Sequence, residues 1–124
     1  MNFLAVAIGG ALGSVARYAT QILFRIWFGS GFPWGTLVVN LLGSFLIGLC
    51  AAIAERGWPS LRPWIMTGFL GGFTTFSSFS FENVHLIRNG QSLAFALNVL
   101  VSVVAGIVLA LAGYLGGRSI FGGA

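Results

Sequence analysis

Four apolar stretches, each near the 20 residues that a helix needs to cross a hydrocarbon core of roughly 30 Å, take up most of this chain. They run roughly over 3–24, 36–54, 63–87 and 93–115. Their spacing predicts an all-α membrane protein: one four-helix transmembrane domain over residues 1–124. Composition agrees, because 57% of the residues are hydrophobic and only 6% charged, against roughly 25% charged in a soluble domain. All three prolines, Pro33, Pro59 and Pro63, fall in connections or in a span's first turn, where a missing N–H does no harm. Trp27 and Trp34 flank the first connection, and Trp58 and Trp64 the second, as an interfacial aromatic belt would. The amino terminus lacks the charged region and small-residue cleavage site of a secretory signal, so the first stretch is expected to remain as a span.

The formal charge of +4 comes from six arginines against Glu55 and Glu82. The arginines stand singly along apolar segments and form no basic patch, which argues against a nucleic-acid partner. With four spans, Arg56, Arg62 and Arg118 lie on one side of the membrane and Arg17, Arg25 and Arg88 toward the other. An arginine excess normally fixes which side faces the cytoplasm, and this balance encodes no preferred orientation. A chain of this kind can insert both ways. A two-fold axis in the membrane plane then joins one copy to an inverted one, and the pair has the interior that four helices alone lack.

The run Gly71 to Ser80, GGFTTFSSFS, interrupts the third stretch. Adjacent glycines cost roughly 1 kcal/mol each relative to Ala in a helix, and β-branched Thr74 and Thr75 recover none of it. A backbone break is expected over residues 71–75, near the bilayer midplane, about 12 Å along the helix from Trp64. Beyond it, Phe76 and Phe79 fall three apart on one helical face, with Ser77 and Ser80 on a neighbouring one. An aromatic stripe therefore runs beside a hydroxyl stripe. Elsewhere glycines are plentiful, including the G-x-x-x-G of Gly9 and Gly13, and predict tight helix packing, within one subunit or between two.

No catalytic set is visible, with His85 the only histidine, Cys50 the only thiol and no carboxylate pair, so the chain does not read as an enzyme. Cys50 reads as packing and His85 as an ordinary interfacial imidazole. Polar groups within the hydrocarbon layer are candidates for function, here Arg17, Asn40, Glu82, Asn83 and Asn98 with the hydroxyls after Gly72. Arg17 lies roughly three turns inside Trp27, too deep to reach water easily, and its fixed positive charge favours an anion. An internal ion pair with Glu82 is the alternative. Asn40 can donate to an anion or simply hold helices together. Phenylalanine edges carry partial positive charge and can face an anion, although such stripes are commonly core. Carbonyls freed by the break need partners, either a neighbouring break or a small hard cation between two inverted copies.

These residues resemble the Fluc, or CrcB, family of fluoride channels. Gly35-Thr36-Leu37-Val38-Val39-Asn40 is similar to the family's second-span motif, and Gly71 to Ser80 followed by Phe81-Glu82 to its third-span motif. The likeness covers essentially the whole chain. It implies an antiparallel, dual-topology homodimer in the cell (inner) membrane, with two pores that pass fluoride passively and reduce its toxicity. Phe76 and Phe79 would line the pores, Asn40 would donate to the ion, and Ser77 and Ser78 would add hydroxyls. Arg17 matches a first-span arginine at a vestibule. Gly71 and Thr74 match positions whose backbone carbonyls hold a structural sodium ion at the dimer centre. Ser78 stands where family members usually have Thr. Ser102 matches a fourth-span hydroxyl, but Gly106 and Ala110, one and two turns on, lack the side chains often found there.

Two rivals share part of this pattern. A dual-topology small multidrug or cation transporter also has four short spans and balanced arginines, but it needs a buried carboxylate, typically in its first span, where this chain has Arg17. A non-transporting scaffold subunit would explain the glycines and not the polar third span.

Overall fold

The computed structural model describes residues 2–121. Helix α1 is Phe3–Phe28, α2 is Trp34–Glu55 and α5 is Ser92–Phe121, and these three are long and apolar enough to cross a membrane. The third apolar stretch forms two helices in series. Its first, α3, is a widened π-helical segment, Arg62–Leu70, closed by the single α-turn Gly71–Phe73. Its second, α4, is Phe76–Arg88. No strand occurs among the described residues.

Local chemistry sets the ends. Pro63 sits in the first turn of α3, where no N–H is missed. The left-handed glycines Gly29 (φ 75) and Gly90 (φ 74) turn the chain after α1 and α4, and the Gly29 N–H closes on the Arg25 carbonyl at 2.8 Å. The helix does not part at the glycines of the interruption. Gly71 keeps right-handed helical angles (φ −62, ψ −36), and it is the β-branched pair Thr74 and Thr75 that becomes extended.

Packing divides into two tight pairs, α1 on α3 and α2 on α5, with α4 held more lightly against α5 and α2. Small residues make both tight pairs possible. A Cβ on Gly13 would collide with the Phe69 carbonyl oxygen, and one on Gly113 with that of Phe45. The Gly9 and Gly13 motif therefore packs within one chain, against the backbone of α3. Gly113→Ala is expected to destabilise the fold by roughly 1–3 kcal/mol through overpacking, read as a lower melting temperature in detergent. Gly116→Ala, with nothing within 4 Å of the new carbon, should melt with the parent.

The core is small. Val39, Leu70 and Phe73 form its centre, and Ala16, Leu46, Cys50, Ile65 and Phe69 pack around them, so Cys50 is a packing residue. Large apolar side chains such as Ile107, Leu111 and Leu115 point outward instead. This inversion suits a lipid solvent, where helix contacts rest on close packing and hydrogen bonds rather than on removal of surface from water.

Candidate functional site

The break is fixed from three directions. Asn40 on α2 grips Thr75 through both halves of its amide: Nδ2 donates to the Thr75 carbonyl at 3.1 Å, and the Thr75 N–H donates to Oδ1 at 2.8 Å. Arg17 on α1 donates from Nε to the Gly72 carbonyl at 3.0 Å. The Leu70 carbonyl receives both the N–H and the hydroxyl of Thr74, at 3.0 and 2.8 Å. Thr75 in turn caps α4, its Oγ1 accepting the Ser78 N–H at 3.1 Å. Among the described residues, no hydrogen bond reaches the carbonyls of Gly71 and Thr74, because the N–H groups that would have continued the helix are spent on Asn40 and Thr75.

A cleft of about 380 Å³ opens beside the break, between α2, α4 and α5. Asn40, Ser44, Gly71, Thr74, Thr75, Phe76, Phe79 and Ser102 contribute to its walls. The rings of Phe76 and Phe79 lie 5.9 Å apart and tilted by 46°, and Phe76 is 80% exposed in the single chain. The Ser102 hydroxyl is buried here with no hydrogen-bond partner, while that of Ser44 is used on the Asn40 carbonyl at 2.7 Å. The cleft is thus walled by two phenylalanines, an amide side chain and a residue with a free hydroxyl, beside the two residues whose carbonyls accept no hydrogen bond.

Of the residues singled out in the sequence, Asn40, Gly71, Thr74, Phe76 and Phe79 meet in this cleft. Ser77 and Ser78 do not line it. Ser77 is exposed, its hydroxyl 3.4 Å from that of Thr75, and Ser78 contributes its backbone to the cap of α4. Arg17 supports the break from behind and makes no ion pair with Glu82, whose carboxylate instead accepts from Thr36 Oγ1 at 2.7 Å. Thr36 accepts in turn from Gln21 Nε2 at 3.0 Å, which ties α1, α2 and α4 together. Thr75 is the residue that sequence reasoning left without a role. Its signal was an N-cap hydroxyl directly before a helical run.

A second cleft, of about 360 Å³, lies under the first connection and is lined by Gln21, Arg25, Trp34, Thr36, Glu82 and His85, among others. The His85 ring hydrogen-bonds to Asn89, one turn on, at 3.1 Å, a local contact at the helix end. Between the two clefts, Asn98 Nδ2 on α5 donates to Asn83 Oδ1 on α4 at 2.9 Å, with both side chains buried.

A helical chain with long apolar spans, a broken helix and a cleft at the break is a multi-pass protein of the cell membrane. The family profile described as "CrcB-like protein, Camphor Resistance (CrcB)" matches residues 4–114, and the chain belongs to this family. Curated relatives are similar along nearly their whole length. A protein of Leptospira interrogans is 47% identical over 121 residues, 91% of this chain and 94% of its own. One from Magnetococcus marinus is 43% identical, covering 97% and 100% of the two chains, and one from Thermus thermophilus 45% identical, covering 98% of each. All three bear the name "Fluoride-specific ion channel FluC".

Proposed function

We propose that this chain forms a passive, fluoride-selective channel that lets fluoride leave the cell and so reduces its toxicity. The observation that carries the reading is the cleft at the break, whose lining includes Phe76, Phe79, Asn40 and Ser102 with its unpartnered hydroxyl. The names of the relatives supply the ion. The side chains supply a way to dehydrate it. Fluoride is small and strongly hydrated, so its water must be exchanged for hydrogen-bond donors and positive ring edges that do not hold it too tightly. Hydroxyls and two ring edges meet that need, with the exposed Ser77 and the half-buried Ser78 of α4 adding hydroxyls. Asn40 has a second N–H beyond the one used on Thr75. The Arg17 charge, set behind the break, favours an anion over a cation.

The working unit is an antiparallel, dual-topology homodimer in the inner membrane, with α3 and α4 in series as the fourth crossing. The balanced arginines support this arrangement, as does the exposure of Phe76 and Ser77, which leaves a surface beside the break for a second copy to cover. The break lies near the bilayer midplane on this reading, so inverted copies bring their breaks to one depth.

The bare carbonyls of Gly71 and Thr74 fit a small hard cation, and sodium is the ion proposed, held by these two oxygens from each copy. When bound, it supplies positive charge that satisfies the carbonyl dipoles and joins the two breaks. Replacing sodium with N-methylglucamine is expected to lower the melting temperature of the purified dimer. The lost stability is about 2.7 kcal/mol if sodium stood at 100 times its dissociation constant, and an unchanged melting curve counts against the site.

Fluoride-electrode recording of efflux from liposomes tests the function itself. With valinomycin added so that potassium can follow and the charge balances, purified protein should empty vesicles loaded with potassium fluoride, driven by no gradient but that of the salt they hold. A non-transporting scaffold would leave them full.

A further inference from the structure

Helix α4 carries the aromatic stripe, yet little apolar packing holds it in place. Its only buried side chains are Asn83 and Leu86, and Phe76, Phe81, Val84 and Ile87 are all exposed in the chain. A half-helix so lightly packed can turn about its own axis unless directional bonds stop it. Asn40 fixes the end nearest the break, and Thr36 on α2 holds the Glu82 carboxylate of α4 at 2.7 Å. At the other end the directional bond to α5 is that between Asn98 and Asn83, 2.9 Å long, with Asn98 1% and Asn83 6% exposed.

The spacing gives this bond its meaning. Phe76, Phe79 and Asn83 stand at i, i+3 and i+7, one face of α4, and Asn98 and Ser102 at i and i+4, one face of α5. The two faces meet, since Ser102 shares the cleft with Phe76 and Phe79 while Asn98 bonds to Asn83 one turn beyond. Any rotation of α4 that moves the rings must break the amide pair. We propose that Asn83 and Asn98 are positioning residues that set the angle of α4 and thereby aim the rings of Phe76 and Phe79 into the cleft. The consequence for conduction rests on the ring-lined path proposed above, whereas the placement of the rings does not. An amide bond suits the task better than apolar contact, because in lipid an apolar pair leaves a helix free to turn, whereas a buried N–H without its acceptor is penalised at every other angle.

The test combines a spectroscopic readout with flux, on the full chain purified as its native assembly. Para-fluorophenylalanine at position 79 reports the ring by 19F NMR, and fluoride efflux from liposomes is scaled to folded protein. Asn83→Leu, Asn98→Leu and the double variant are compared with Asn98→Gln, which keeps an amide. The expected result is one ring resonance in the parent and a shifted or broadened one in all three leucine variants, with return toward the parent in Asn98→Gln. Flux should fall about tenfold in each single variant and no further in the double, as for two groups that act through one bond. An unmoved resonance in the leucine variants overturns the proposal, as does a double variant whose losses multiply. A moved ring with unchanged flux upholds the positioning role and refutes the ring-lined path instead. The double variant leaves no amide stranded, so it guards against a single variant that fails to fold.

Discussion

Phe76→Ile and Phe79→Ile are each expected to cut fluoride efflux per folded protein roughly two- to tenfold, and the double substitution by the product of the two. The side chains are similar in bulk and hydrophobicity, so a path that needed only an apolar wall would tolerate the change. What isoleucine lacks is the positive edge of the ring. An edge contact is worth about 0.5–1.5 kcal/mol, and about 1.4 kcal/mol is a factor of ten in rate. The rings stand 5.9 Å apart, close enough for a small ion to pass from one to the other. Phe3→Ile, on an exposed side chain outside both clefts, should conduct as the parent does. Undiminished flux in both variants, with the assembly intact by size-exclusion chromatography, would show that ring edges play no part.

Asn40→Leu should have the larger structural effect. It removes two hydrogen bonds at once and strands the N–H and carbonyl of Thr75 in an apolar layer. At about 1 kcal/mol or more for each bond in a membrane interior, the loss is roughly 2–3 kcal/mol, and the intact break becomes about 30 to 150 times less favoured. Fluoride flux per folded protein should fall by a similar factor, because Thr75 also caps α4 and so carries the stripe. The melting temperature should fall with it. Asn40→Leu protein with parental flux and stability would remove Asn40 from both the clamp and the path.

The long spans were legible in the sequence because one signal, apolar length, specifies them. The interruption was legible too, although its mechanism was not. The glycines of Gly71–Phe73 stay helical since tertiary contact with α1 holds them, a Cβ on Gly72 falling 2.5 Å from the Gly10 carbonyl oxygen. The chain opens at Thr74 and Thr75 because Asn40 offers Thr75 a better partner than the next helical turn does. Nothing local announces that partner, which lies 35 residues away. Distance in sequence also hid the fate of Arg17 and Glu82. Opposite charges suggested an ion pair, but Arg17 satisfies the Gly72 carbonyl and Glu82 the Thr36 hydroxyl. The widened turns of Arg62–Leu70 had no signal in the pattern of residues. They accompany the close approach of Gly9 to the backbone of Trp64, Gly68 and Phe69, a packing effect that periodicity does not encode.

Selectivity for fluoride is read from a reversal potential in a planar bilayer, with fluoride on one side and an equal concentration of chloride on the other. A narrow path lined with hydroxyls, an amide and ring edges predicts a potential that follows fluoride alone and reaches the most extreme value the electrodes can resolve. A potential near zero would mean that chloride passes as readily as fluoride and that the path is not fluoride-selective.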